Sequence, residues 1–425
     1  MRRPKNDLAI IILAAGRGTR MRSKLPKALH SVCGKPMLWF LLRNAKTLKP
    51  KKTVVVAGFG LKEVRAFVGA DAQIVAQKRL LGSGDAVNQC RAALKGFAGK
   101  VLVLYCDTPL VSLDTLKKLL AHQKEHATAC TLLSVELDNP SSYGRIKRIS
   151  GGSVIKIVEA NDADAEEKKN REVNVGCYVF DAEKLFTALS HVRRNPNKKE
   201  YYLTDVIEIL AASGTVSAIA TEDRDEVTGV NSRKDLARVE EIMQRRILED
   251  WMEKGVHVRD PKSTAVDAGV EIGAQTTIAS HTVIEDSCRI GERCQIGPFA
   301  RVRGGSVIGN DAVIGNFVEI VRSRIGQGAS IKHLSYIGDA EVGRSVNIGA
   351  GTITANYDGK KKHKTIIQDG AQLGSGTVLV APVRIGKNAK TGAGAVVTSG
   401  CHVAAKTTVV GVPAKVLKKT IKRIQ

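Results

Sequence analysis

Two rhythms of hydrophobic and polar residues divide the chain. Up to about residue 230, short apolar runs alternate with amphipathic stretches. Ile10 to Leu13, Thr53 to Val56 and Val101 to Tyr105 predict buried strands, while Gly84 to Leu94 and Leu113 to His122 predict helices between them. Such alternation predicts an α/β unit built on a mostly parallel sheet. Ser232-Arg233-Lys234-Asp235 then predicts a capped helix start, followed by Leu236, Val239, Met243, Ile247 and Trp251 at helical spacing, with Gly255 as the stop. The chain thus reads as a first domain at 1–231, a linker helix at 232–256 and a second domain at 257–425.

In the second domain the period changes to six. Ile272, Ile278, Ile284, Ile290, Ile296, Val302, Ile308, Ile314 and Ile320 are evenly spaced, and the count resumes in Ile367, Leu373, Leu379 and Ile385, then Val397, Val403 and Val409. Aliphatic residues at this interval predict short strands joined by tight corners, three strands to a coil, with the aliphatic side chains stacked inside a prism. An amphipathic helix would need a 3.6-residue period and fewer glycines. Between Val321 and Lys364 the count is broken and polar residues gather, which predicts an interruption of the coils there.

Composition narrows the chemistry. The chain has 425 residues, 43% of them hydrophobic and 25% charged, which is ordinary for a globular protein, but only 4% are aromatic against 40 glycines. Lys and Arg outnumber Asp and Glu by 66 to 42, favouring anionic partners. So few aromatics leave little for a nucleic-acid stacking platform, and no nucleic-acid partner is expected. Eight cysteines without a C-x-x-C pair support neither a zinc site nor a disulfide scaffold and fit a reducing cytoplasm. Met1-Arg2-Arg3 with the apolar run Leu8 to Ala15 superficially copies a secretory signal. That run is short and leads into Gly16-Arg17-Gly18-Thr19-Arg20, so a strand feeding a phosphate loop is the better reading. No run approaches the roughly 18 apolar residues of a membrane span.

Leu13-Ala14-Ala15-Gly16-Arg17-Gly18-Thr19-Arg20, closed by Leu25-Pro26-Lys27, is not a Walker loop, because it lacks G-K-[ST]. Glycines let backbone N–H groups approach phosphate oxygens, and Arg20 and Lys27 add positive charge beside a triphosphate. Asp107 follows the strand Val101 to Tyr105, where ligands gather at the carboxyl ends of strands.

With these residues, together with Gln77, Leu81-Gly82-Ser83-Gly84, Tyr143-Gly144-Arg145, Glu159, Asn174, Tyr201 to Asp205 and Gly229-Val230-Asn231, the chain resembles the bifunctional N-acetylglucosamine-1-phosphate uridylyltransferase and glucosamine-1-phosphate N-acetyltransferase family. The resemblance implies a Rossmann-like nucleotidyltransferase domain followed by a left-handed parallel β-helix that trimerises. It implies uridine recognition by Leu13, Ala14, Ala15, Gly16, Gln77, Gly82 and Ser83, with Tyr105 in the same pocket and sugar contacts from Gly144, Glu159 and Asn174. Asp107 and Asn231 are implied to hold Mg²⁺, which suits a hard cation that takes its remaining ligands from water and phosphate. Arg20 and Lys27 would neutralise charge while UTP is attacked by the sugar phosphate.

In the second domain the resemblance makes His333 the general base for acetyl transfer from acetyl-CoA, a task for which imidazole has a suitable ordinary pKa. Arg303, Tyr336, Asn347 and Lys362 would hold the amino-sugar phosphate, and Ala350, Asn356, Tyr357, Ser375 and Ala393 would line the acetyl-CoA side. The sequence departs from the family at Cys106, a Gly position; at Val321, a Lys position; and at Gly411, an Arg position. A nucleotidyltransferase whose prism serves only assembly or regulation is the alternative.

Overall fold

The computed structural model describes residues 7–417 apart from 141, 150 and 151; the basic pair Lys418-Lys419 lies outside the described residues. The chain forms two compact units, Met1–Glu240 and Glu241–Gln425, and the divide falls inside the helix Arg233–Glu253.

The first unit is built on a twisted sheet whose main path runs Val216–Ala220, Cys130–Glu136, Glu172–Asp181, Lys100–Tyr105, Leu8–Ala14, Lys52–Ala57 and Gln73–Ala76. Leu8–Ala14 pairs in parallel with both Lys52–Ala57 and Lys100–Tyr105, and only the long strand Glu172–Asp181 runs antiparallel to its neighbours on this path. All seven residues of Leu8–Ala14 are buried, as expected of a strand covered on both faces. The predicted helix Gly84 to Leu94 is shorter: Ser83–Asn88 is α-helical and Gln89–Arg91 tightens to 3₁₀. The helix predicted at Leu113 to His122 forms and runs on as Leu113–His126, capped by Ser112, whose hydroxyl accepts from the Thr115 N–H.

The second unit is a three-faced parallel β-helix, with faces of ten, eight and eight strands. Partners on each face lie 18 residues apart in the regular coils, as in Ile272 with Ile290 and Ile290 with Ile308. Every aliphatic residue of the six-residue series is buried in the prism.

The predicted interruption between Val321 and Lys364 is corrected by the structure. The coils continue through Ile325, Ile331, Ile337, Val342 and Ile348, all buried. The count fails because two corners are one residue short, between Ile320 and Ile325 and between Ile337 and Val342. Arg322 (φ 47°) and Asp339 (φ 48°) turn those corners in the left-handed region. Among the described residues the one true excursion leaves the prism after Ile353–Ala355 and rejoins at Thr365–Ile367. Two inward positions are polar, which also hides the period. Thr354 Oγ1 accepts from Gly338 N–H at 2.7 Å, and Thr391 Oγ1 meets Thr377 Oγ1 at 2.7 Å, so neither buried hydroxyl lacks a partner.

Candidate active sites

In the first unit, a cavity of about 850 Å³ opens at the carboxyl end of Lys100–Tyr105 and is lined by Arg20, Tyr105, Asp107, Gly144, Glu159, Asn174 and Asn231. Tyr105 and Asp107 share one strand end and the other five come from separate stretches of sequence, which folding brings to one hollow. Tyr105 packs under Gly176 (φ 83°), where an added Cβ would stand 3.1 Å from the ring, so a side chain at 176 would close the floor. Burial raises the Tyr105 phenol well above its ordinary pKa, so the ring stays neutral. Burial likewise raises the Glu159 carboxyl, although Thr204 Oγ1 donates to it at 2.7 Å. Asn174 Nδ2 donates to the Tyr178 hydroxyl at 2.7 Å, and its Oδ1 accepts from Gly176 N–H at 3.2 Å, which fixes the amide plane.

Asn231 is set by the start of the long helix. Asp235 Oδ2 accepts from Asn231 N–H at 3.0 Å and from Ser232 N–H at 2.8 Å, while Ser232 Oγ accepts from Asp235 N–H at 3.2 Å. This reciprocal cap is the one predicted from Ser232 and Asp235. Burial pushes the Asp235 carboxyl upward, but these bonds and the nearby Arg20 charge prevail and hold it below its usual range. The Lys27 ammonium donates to Asp107 Oδ2 at 2.6 Å and to Asn231 Oδ1 at 3.2 Å. A carboxylate and an amide oxygen from two elements therefore converge on one cation-sized point. Two hard oxygens, with the open cavity beside them for water and phosphate, fit Mg²⁺.

The remaining first-unit residues lie outside the lining of this cavity. Leu13, Ala14 and Ala15 are buried at the end of their strand, and Gly16 faces open space. Gln77 Nε2 donates to Gly82 O at 3.0 Å and to Asp85 Oδ2 at 2.7 Å, tying it to the loop that carries Gly82 and Ser83. Ser83 Oγ accepts from Leu203 N–H, and Gly84 N–H donates to Tyr201 O. Gly82 (φ 100°) lies so near Tyr201 O that a Cβ would approach it to 2.5 Å. Cys106 is buried and its thiol is pushed up to about 12, chiefly by burial and then by Asp107, so it packs as a neutral filler.

In the second unit, sheet register places His333, Ala350, Ser375 and Ala393 in one row of the prism. Asn316 pairs with His333, and the coils above continue in register through Ala350, Ser375 and Ala393. His333 is exposed, and its Nδ1 donates to Asn316 Oδ1 at 2.9 Å, which leaves Nε2 with its lone pair directed away. Asn316 was not singled out from the sequence; it precedes His333 by one shortened coil, a signal the broken count concealed. On a neighbouring face Arg303, Val321 and Gly338 are in register. Arg303 lies 3.4 Å from Glu319 and 3.8 Å from Glu285, while Val321 is buried. Arg322 is bound in a two-point pair to Asp339, 2.8 Å at each contact. Asn356 Nδ2 also donates to Asp339, and both Asn356 and the Tyr336 hydroxyl crowd the space over Gly338. Asn347 is exposed on its strand, on the face adjoining that of Tyr336. Tyr357 and Lys362 bridge each other across the excursion, whose bend is held by Asp358, which accepts from Lys360 N–H, Lys361 N–H and His363 Nε2.

Comparison with known proteins agrees with both units. Residues 10–149 match the MobA-like NTP transferase domain, and residues 287–322 and 364–399 match the bacterial transferase hexapeptide repeats. The Bifunctional protein GlmU of Pelotomaculum thermopropionicum is 46% identical over 89% of this chain and 90% of its own length. The chain belongs to the bifunctional GlmU family. The GlmU proteins of Shouchella clausii, 42% identical over 91% of this chain and 93% of theirs, and Syntrophotalea carbinolica, 44% identical over 92% of each, are similar along the same span. Family membership makes the chain a two-domain transferase, a nucleotidyltransferase joined to a hexapeptide acetyltransferase with a left-handed β-helix.

Proposed function

We propose that the second unit acetylates glucosamine-1-phosphate from acetyl-CoA and that the first couples the resulting N-acetylglucosamine-1-phosphate to UTP, giving UDP-N-acetylglucosamine. His333 Nε2 takes a proton from the sugar amine as its nitrogen attacks the thioester carbon; the C–N bond forms, the C–S bond breaks, and the proton passes to the departing sulfur, so CoA leaves as the free thiol. Arg303, Tyr336, Asn347 and Lys362 position the amino-sugar phosphate, and Ala350, Asn356, Tyr357, Ser375 and Ala393 the CoA side. In the first unit a sugar-phosphate oxygen attacks the α-phosphorus of UTP and the bond to the bridging oxygen breaks, releasing pyrophosphate. Leu13 to Gly16, Gln77, Gly82 and Ser83 hold the uridine, Gly144, Glu159 and Asn174 the sugar, and Arg20 and Lys27 meet the growing negative charge. Asp107 and Asn231 hold Mg²⁺, which supplies charge neutralisation at the phosphates.

The observation that carries the two-activity reading is the prism edge at His333. A scaffold used only for assembly needs no exposed imidazole fixed by Asn316 in register with a row of small residues.

A homotrimer is supported by a ladder on the same edge. His281, Phe299 and Phe317 stack with ring centroids 4.7 and 5.2 Å apart, and Leu334 comes next. Phe299, Phe317 and Leu334 are 47%, 55% and 63% exposed, a contiguous apolar stripe suited to neighbouring copies. Among the described residues no helix is long and apolar enough to cross a membrane. The cysteines among them are free, which with UTP and acetyl-CoA as substrates supports a cytoplasmic enzyme supplying cell-wall precursors.

The test runs two reactions, glucosamine-1-phosphate with acetyl-CoA followed by free thiol, and N-acetylglucosamine-1-phosphate with UTP and Mg²⁺ followed by pyrophosphate. Asp107→Asn is expected to lose pyrophosphate release from UTP and the acetylated sugar while keeping thiol release, and His333→Ala to do the reverse. Pyrophosphate without thiol from the unaltered protein would favour the monofunctional alternative.

A further inference from the structure

The Lys27 ammonium occupies the point at which Asp107 and Asn231 converge, and this has a consequence for the order in which ligands load. Its side chain is only 12% exposed, and its stem runs against Gly18 of the phosphate loop, where a Cβ would come within 2.9 Å of Lys27 Cβ. Asn231 cannot follow the lysine elsewhere, because Asp235 fixes its backbone. A divalent ion bound at its ordinary distance of about 2.1 Å from the same oxygens would sit against the ammonium, like charge on like. The two cations are therefore mutually exclusive at this point.

We infer that Lys27 is an exchangeable stand-in for the metal: without nucleotide its ammonium holds the Asp107 and Asn231 oxygens and excludes the divalent cation, and the nucleotide's phosphates draw it off so that metal and nucleotide load together. The inference rests on the reading of Asp107 and Asn231 as the metal pair. A part-buried ammonium leaves a carboxylate only for another anion, and the phosphate loop that its stem crosses is where one arrives. The coupling is reciprocal, so whatever factor the nucleotide adds to metal affinity the metal adds to nucleotide affinity. Charge-assisted hydrogen bonds of this kind correspond to about 10- to 100-fold in an equilibrium constant.

The experiment follows free Mn²⁺ by electron paramagnetic resonance while the full-length protein is titrated, with and without a non-hydrolysable UTP analogue. The unaltered protein is expected to bind Mn²⁺ weakly alone and at least tenfold more tightly with the analogue. Lys27→Met, and Lys27→Gln as a second variant, should bind Mn²⁺ about 10- to 100-fold more tightly without nucleotide. Lys27→Arg, which keeps the cation, should retain the weak affinity. Melting temperatures of all variants confirm folding. Unchanged or weaker nucleotide-free Mn²⁺ binding in both neutral variants overturns the proposal, while loss of analogue-driven Mn²⁺ binding in Asp107→Ala leaves the metal-pair reading standing. If Asp107→Ala binds Mn²⁺ like the unaltered protein, the metal pair itself is wrong and the proposal falls with it.

Discussion

Replacing Gly338 by alanine separates the acetyl-transfer geometry from the stability of the prism. A Cβ at this position would lie 2.6 Å from the Tyr336 hydroxyl, 2.7 Å from Asn356 Nδ2 and 2.8 Å from Tyr336 Cε1. Ordinary contact requires these atoms to retreat by about 0.6 to 0.8 Å, because close-packed interiors offer no slack. The backbone of 338 cannot yield instead, since its N–H is bound to Thr354 Oγ1 and its strand is paired on both sides. What moves is therefore the tips of the two side chains. Because those tips are the ends of rotatable chains, the stability cost falls at the low end for overpacking, about 1 kcal/mol. The catalytic cost is larger, since misplacing positioning groups by about 1 Å costs about 10²-fold. Gly338→Ala should lower kcat/KM for thiol release with glucosamine-1-phosphate by about that factor, leave pyrophosphate release from UTP unchanged and lower Tm by only a few degrees. Unchanged acetyl transfer would refute the placement of Tyr336 and Asn356 at the sugar and acyl donor; equal loss of both activities would refute the independence of the two sites.

Three further predictions test other parts of the structure. Asn316→Ala removes the acceptor that fixes the His333 tautomer, and kcat for acetyl transfer should fall about tenfold or more with little change in KM; a purely structural role would instead lower Tm and leave the pH–rate profile in place. The Asp205 carboxyl is raised to about 6, first by burial and then by Glu159, so the folded protein keeps a proton that the unfolded chain releases near pH 4. Stability is lost as pH rises through that window, and Asp205→Asn should gain about 1 to 2 kcal/mol at pH 7.5, discounted for partial exposure, but nothing near pH 4; an equal gain in thermal melts at both pH values would sink the assignment. Phe317→Asp should break the stacked edge and shift the mass by light scattering from that of the proposed trimer to that of a monomer, with uridylyl transfer kept; an unchanged mass would remove that edge from the interface.

The fold was legible where a pattern is dictated by burial. Ile10 to Leu13 read as a strand because both faces of the sheet are covered, and Ile272 to Ile320 read as a prism because every sixth side chain must fill its axis. The pattern failed where a corner lost one residue, at Arg322 and Asp339, and where a buried threonine satisfied its hydroxyl inside the prism, at Thr354 and Thr391. The same frame slip hid Asn316, whose relation to His333 is across coils. In the first unit Asp107 was legible from its place after a strand and Asn231 only through resemblance to a family. Nothing local in the sequence shows that Lys27 reaches both, because that contact exists only once residues 27, 107 and 231 are folded together.

The excursion between Ala355 and Thr365 has a wider implication. It departs at the end of one face and returns at the start of the next, while the stacking of Val342 on Ile367 and of Ala355 on Val380 stays in register above and below it. The register of the prism therefore runs on across this segment without depending on its length. With Asn356 and Tyr357 on the acyl-donor side as proposed, changes in its length or charge would alter donor preference while leaving the rungs that carry His333 in register.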